Sequence, residues 1–496
     1  MSPTTEVGVI GSGSMGRGMA LLYSEKGNTV HLYDVDPSKP KSVLQESKET
    51  EGLDESLVHI HDDISSLMSG FKAKPRIVIM SLPHGKVIDK VLDDLEPHLE
   101  KGDIIIGGAN EDYKETENRQ DRVEGKGVAY IGMGVSGGYQ SSRRGPSMSP
   151  GGDYEAYKKV EPYLKDWAAK AKDGTPCVEW VGPRGAGMYV KMVHNGIEQG
   201  QLSILAEVWS LLHRTLQFSN EEIGKIFDDW NEKGELSDDF LVDLGAHILT
   251  FNEGAGQKNK DGLVDSIDDP VVQDSDNSEG TGVWTVEESS RRHVAAPTIA
   301  TAHYLRIISS DKEERRQVQS MLKLPKLQPR KPEDKDRIVE VLRLATYGAF
   351  LCSFIQGLNL LARASKDFDW NVPMAKCLQI WRAGCIIRSG YIADLIQPLY
   401  EEDPKCINLL LKQKICDELS KVYEALKEVV TLAIDTNSIV PALSASLEYI
   451  KAVAMNDPTN FEEAQLDAFG DHCFSFISDH AGHPKKGDHH VEWRKA

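Results

Sequence analysis

The sequence has no CxxC pair and no excess of basic residues. As its hydropathy reads, it also lacks an apolar run near the roughly 20 residues that cross a bilayer. Each absence excludes a class. The seven cysteines, Cys177, Cys352, Cys377, Cys385, Cys406, Cys416 and Cys473, are scattered, which fits free thiols in a reducing compartment rather than a disulfide framework or zinc site. No metal site is expected; a histidine-bearing tail with His483, His489 and His490 reads as solvated or partner-contacting. A net charge of −20 argues against nucleic acid or an anionic membrane as main partner, although a local cationic pocket could still take an acidic small molecule. The opening MSPTTEVGVIGSG enters a strand almost at once, so no signal peptide and a cytoplasmic location are expected. With 496 residues, 40% hydrophobic and 27% charged, the chain reads as a globular protein of two or three domains.

What is present begins with Glu6–Ile10, a short buried strand. It runs into Gly11-Ser12-Gly13-Ser14-Met15-Gly16, a GxGxxG turn, and then a helix through Tyr23. His31–Asp34 reads as the second strand, ending on an acid. Strand, glycine turn, helix, strand and acid together make a dinucleotide fingerprint. The glycines let the backbone approach the pyrophosphate, which the helix N-terminus faces. Asp34 suits ribose hydroxyls and would repel a 2′-phosphate, so NAD is expected over NADP; Lys39 and Lys41 lie close enough to leave NADP open.

Further strands are expected at Arg76–Met80, Asp103–Ile106, Gly127–Tyr130 and Pro176–Trp180. In an open α/β sheet, ligands bind at loops beyond strand C-termini. The segments in question are Leu82-Pro83, Asn110 and Ser136-Gly137-Gly138, the last able to hold a carboxylate on backbone amides. From Tyr189 onward the period is helical, over Gln201–His213, Asn220–Trp230, Phe240–Leu249, Arg337–Ala364, Met374–Ser389, Ile407–Glu428 and Asn437–Ala454. Asn252–Gly282 and Glu313–Asp336 read as surface excursions. Within Gly187–Gly200, Lys191, Asn195 and Glu198 fall at i, i+4 and i+7, one side of a helix whose other positions are apolar. An ammonium, an amide and a carboxylate buried together are costly without a functional reason.

These residues resemble 6-phosphogluconate dehydrogenase, within the 3-hydroxyacid dehydrogenase group, over almost the whole chain. The resemblance rests on Gly102–Asn110, Gly134–Gly138 (GVSGG), Gly145–Gly152, Gly185–Glu198, Trp230–Leu236, Gly280–Thr285, Ile380–Ser389 and Ala468–His472. It implies an α/β Rossmann-like N-terminal domain (1–184), a large all-α domain (185–455) and a C-terminal tail (456–496) that contacts the partner of a homodimer. The implied reaction is NAD(P)-dependent oxidative decarboxylation of a 3-hydroxy sugar acid to a ketose and CO2. Lys191 is then the base on the C3 hydroxyl and, once protonated, the acid beside the enolate oxygen, while Glu198 protonates C1. Asn195 and His194 orient the substrate, joined by Asn110, Ser136, Gly137, Gly138, Gln199, Thr281, Arg306 and His472. One lysine serves both steps provided its surroundings favour the neutral amine.

The same resemblance exposes departures. Gln199, Glu279 and Leu466 stand where the family has a tyrosine, a lysine and an arginine around the substrate phosphate, leaving Thr281, Arg306 and His472. Asp34-Val35-Asp36 replaces the family's Asn-Arg-Thr reading of the 2′-phosphate. An unphosphorylated acid is therefore expected as the better substrate, unless Lys258 or Lys260 folds back. The other readings are a 3-hydroxyacid dehydrogenase without decarboxylation and a catalytically retired binding protein.

Overall fold

The computed structural model describes residues 4–251, 263–275, 280–456, 458–479 and 487–493. These divide into two compact units, Met1–Leu447 and Glu448–Ala496. Glu279, Lys258, Lys260 and His483 lie outside the described residues.

The first unit is built on a seven-stranded sheet: β1 Glu6–Ile10, β2 Thr29–Tyr33, β3 Val58–Ile60, β4 Ile77–Met80, β5 Ile104–Gly107, β6 Ala129–Ser136 and β7 Ser147–Gly151, ordered 3-2-1-4-5-6-7. β1 lies parallel between β2 and β4, with Val7 opposite Val30 on one side and Ile77 on the other. Helices cover both faces, so the central strands read as unbroken apolar runs, VGVI, IVIM and IIIG. The last pair is antiparallel: Gly132 faces Gly151 and Ser136 faces Ser147.

Three expectations change here. β6 continues through Ser136, so Gly132–Ser136 is strand rather than loop, because β7 turns back and supplies a partner. The Gly- and Pro-rich Gly145–Gly152 hides that partner strand. Pro176–Trp180 forms no strand among the described residues and makes two isolated bridges, Pro176 to Lys170 and Val178 to Met148. β3 had no counterpart in the sequence reading.

The remainder of the unit is helical. Ala186–Ser210 ends in a wider turn, Leu211–Thr215, and packs against the helices Thr281–Arg291, Pro297–Ser310 and Lys335–Asp367. At its far end, buried Glu207 accepts from the amides of Ala442 (2.8 Å) and Leu443 (2.9 Å), capping the helix Pro441–Ala454; burial pushes its carboxyl up to about 7. The expected helix Met374–Ser389 stops at Ile380, since Gly384 sits at φ +66°, which an α-helix cannot pass through. A new helix, Gly390–Glu402, follows. The segment expected from Ile407 runs instead from Gln413 to Thr436 and ends at Asn437, φ +56°. Helices at Thr281–Arg291, Pro297–Ser310 and Lys312–Met321 were not expected.

Lys335–Asp367 corrects the hydropathy reading: it is long and apolar enough to cross a membrane by length and composition. Its apolar window, however, is 72% buried within the fold, as a core helix is.

The second unit contains a helix, Thr459–Gly470, where few helix signals were seen. Asp467 is its hub, accepting from Cys473 N, Val491 N, His490 Nδ1 and Trp493 Nε1 at 2.7–3.2 Å. Beyond Lys451 no other described residue is buried. His472 stacks edge-on against Phe469, and Leu466 lies on the same helix.

Candidate active site

The fingerprint turn is a main-chain construction. Gly11, at φ +94°, passes so close to β4 that a Cβ there would lie 2.2 Å from Ser81 O, and a Cβ on Gly16 would lie 1.9 Å from Gly11 O. Leu82 Cδ2 reaches within 3.0 Å of the same point. Gly13 differs: a Cβ there meets nothing within 4 Å among the described residues. Its missing side chain leaves the space open at the N-terminus of the helix Ser14–Glu25, where a pyrophosphate fits. Ser12 Oγ, buried, finds no partner among the described residues. Ser14, exposed, and Met15, half-buried, complete the turn, and Pro83 is exposed beyond β4. The residues present therefore suit a dinucleotide.

Asp34 does not project freely toward a ribose. Its side chain, 7% exposed, accepts from Ser12 N at 2.7 Å and Asp36 N at 3.0 Å, and Lys39 Nζ lies 3.7 Å away. The carboxylate thus ties the end of β2 to the glycine turn, with a cation beside it.

The helix Ala186–Ser210 carries the polar stripe inward. Lys191 is 7% exposed, and its Nζ donates to Ser136 Oγ at the end of β6, 3.1 Å away. One turn on, Asn195 donates from Nδ2 to Thr281 Oγ1 at 3.2 Å and accepts from His194 Nδ1 at 2.9 Å. Glu198 Oε2 lies 3.8 Å from that histidine nitrogen. Burial holds His194 well below the usual histidine range, and the Lys191 charge acts in the same direction, against the opposing Asn195 hydrogen bond. His194 is thus a neutral hydrogen-bonding group at ordinary pH.

Asn110, Asn195, Glu198, Gln199, Thr281 and Arg306 line one cavity of about 590 Å³. Leu202 and Ala206 extend its wall; their i+4 and i+8 spacing from Glu198 was a readable signal that the sequence reading stopped short of. Gln199 packs on the first turn of the helix Thr281–Arg291, where a Cβ on Gly282 would lie 2.3 Å from its Oε1. Arg306 meets Asp274, Nε and a terminal nitrogen both within 2.9 Å of Oδ2. Gly137 (φ +101°) and Gly138 (φ +67°) follow Ser136 and open a short helix; a Cβ on Gly137 would lie 2.3 Å from Gly384 O. His472 belongs to the second unit. A larger cavity, about 710 Å³ beside Tyr400 and Cys406, touches none of these residues.

The two kinds of glycine in the turn make a prediction. Gly13→Ala should fold as wild type, yet raise the Kd for NAD(P)H, read by fluorescence, at least about tenfold by intruding where the pyrophosphate approaches. Gly11→Ala should lose thermal stability, because its Cβ meets backbone. Unchanged cofactor affinity in Gly13→Ala would contradict the assignment.

Comparison with known proteins places this geometry. Residues 6–182 match the model of the NAD binding domain of 6-phosphogluconate dehydrogenase, and residues 187–493 match that of its C-terminal domain. A decarboxylating 6-phosphogluconate dehydrogenase of Emericella nidulans is 46% identical over 97% of this chain and 100% of its own length. One from Spinacia oleracea is 36% identical, with 100% and 99% covered. The Plasmodium falciparum 6-phosphogluconate dehydrogenase structure superposes with a TM-score of 0.87 at 33% identity, covering 98% of this chain and 100% of that one. That protein is described with NADP+ as its cofactor, which overturns the expected preference for NAD. The physical reason lies in Asp34: the carboxylate is spent on Ser12 N and Asp36 N and faces Lys39, so it is not the bare repulsive charge the sequence suggested. By both matched halves and by relatives covered end to end, the chain belongs to the 6-phosphogluconate dehydrogenase family, as an NAD(P)-dependent dehydrogenase.

Proposed function

We propose that this chain oxidises the C3 hydroxyl of a sugar acid of the 6-phosphogluconate type and releases its carboxylate as CO2. The observation that carries the reading is the buried Lys191–Ser136 contact at 3.1 Å, on the helix that also brings Asn195 and Glu198 to one side. Gly11–Gly16, Leu82, Pro83 and Asn110 would hold NAD(P), which when bound supplies the hydride acceptor. Lys191 Nζ takes the proton of the C3 hydroxyl and, as the ammonium, stabilises the enolate oxygen left by decarboxylation. Glu198 then delivers a proton to C1. Neutral His194 and Asn195 act as hydrogen-bonding groups that orient the sugar, with Ser136, Gly137 and Gly138 near its carboxylate and hydroxyls.

At the far end of the sugar we propose that an unphosphorylated acid is preferred. Gln199 brings an amide where a charged or phenolic donor would suit phosphate, and Arg306 is already engaged by Asp274. Each missing charge-assisted contact is worth about 1.5–3 kcal/mol. The test is kcat/KM, with CO2 measured, for gluconate-type acids against 6-phosphogluconate. A clear advantage for the phosphorylated acid would defeat the preference, and NAD(P)H without CO2 would defeat decarboxylation.

We also propose a homodimer, with residues 1–184 as the cofactor domain, 185–455 as the helical catalytic domain and the tail from 456 carrying His472 to the partner's site. Phe469, Phe476 and Trp493, 76%, 52% and 48% exposed, support a covered tail. Truncation after Ala454 should spare cofactor binding and remove most turnover; a fully active monomer in sedimentation would contradict it.

A further inference from the structure

The first turn of the helix Ala186–Ser210 lies against β6 and β7 with almost no side chain between them. A Cβ on Gly187 would lie 2.1 Å from Gly132 O, 2.5 Å from Ser149 O and 2.6 Å from Gly151 N. A Cβ on Gly151 would lie 2.3 Å from Gly187 N. Main chain therefore packs on main chain at this seam, and backbone cannot step aside as a flexible side chain can.

Gly134 occupies a particular place in the seam. Its backbone φ is ordinary, so its lack of a side chain is not a conformational need. A Cβ there would lie 2.6 Å from Lys191 Cβ, 2.4 Å from Ser149 Oγ and 3.2 Å from Gly187 O. Two residues further along β6, Ser136 Oγ accepts from Lys191 Nζ. The strand thus touches Lys191 twice, at the root of its side chain and at its tip. Ser149 Oγ donates to Gly187 O at 3.1 Å and holds the same turn from β7.

We propose that Gly134 is a positioning residue: its bare Cα sets how closely Lys191 approaches β6, and so places the lysine amine against Ser136 and the sugar hydroxyl. The inference rests on the reading of Lys191 as the base. A methyl at 134 would sit well under normal contact distance; Ser149 Oγ can rotate away, whereas Lys191 Cβ moves only with its own backbone, so relieving that clash displaces Lys191 itself. A displacement of about 1 Å at a reacting group is enough to cost on the order of a hundredfold in rate.

The test compares Gly134→Ala with Gly132→Ala, a methyl on the same strand that meets Thr116 Cγ2 instead, 2.5 Å away. For Gly134→Ala we expect kcat to fall at least about tenfold, with NAD(P)H affinity within about twofold of wild type, as a displaced reacting group demands. The limb of the pH–rate profile on which the base loses its proton should also move. Gly132→Ala should lower the melting temperature and leave that limb in place. Ser149→Ala separates the two clashes: Gly134→Ala/Ser149→Ala keeps the Lys191 contact and should stay slow relative to Ser149→Ala alone. Should Gly134→Ala fail to fold, the Ser149→Ala background, with one clash removed, carries the same comparison. A wild-type kcat and pH limb in Gly134→Ala, or full recovery in the double variant, would overturn the inference. Lys191→Ala keeps the two readings apart, for if it turns over normally it is the assignment of the base that fails.

Discussion

The constraint on which the site depends is the burial of a polar stripe along the first half of a helix whose exposed residues are Leu202 and Ala206, further along. Lys191, His194, Asn195 and Gln199 are each no more than 9% exposed, on a helix packed by the sheet at its start and by three helices along its length. An ammonium withdrawn from water costs several kcal/mol unless its protons are taken. The surrounding chain offers acceptors to the buried donors of the stripe. Ser136 Oγ accepts from Lys191, and the helix Thr281–Arg291 presents Thr281 to Asn195.

Such burial needs close neighbours on every side, and small residues provide them. Gly196 abuts Thr285, Gly200 abuts Ser353, and Gly357 of the long helix abuts Ile197; a Cβ at each would lie within 2.4–2.5 Å of its neighbour. Thr285 Oγ1 donates to Met192 O, and Ser353 Oγ to Ile197 O, so the small polar residues also stitch helix to helix. Lys335–Asp367 passes a length-and-composition test for a membrane span because it serves as this core.

Much of this was legible in the sequence. The fingerprint turn, five of the strands and the long helices announced themselves by period and by glycine spacing, and Lys191, Asn195 and Glu198 fell together by helical arithmetic alone. The misses share a cause: tertiary partners decide what local pattern leaves open. Glycine-rich Gly132–Ser136 is strand because β7 pairs with it, and Met374–Ser389 breaks because Gly384 must fit against Ala169 and Ser147. Asp34 misled for a related reason. The sequence shows a carboxylate at the right place, but not that the amides of Ser12 and Asp36 already occupy it. Arg306 likewise read as an available cation until Asp274 was seen against it.

The account stands on one amine that must both take and return a proton beside the sugar. Lys191→Arg tests it most directly, since guanidinium keeps the positive charge and the hydrogen-bonding capacity but does not give up its proton. The measurement is steady-state turnover of the best sugar acid, alongside NAD(P)H affinity and the melting temperature. A folded variant with intact cofactor binding and turnover lowered by at least about a hundredfold is the predicted result. Turnover within a few fold of wild type would show that charge alone is needed at this position and would contradict the assignment of Lys191 as the base.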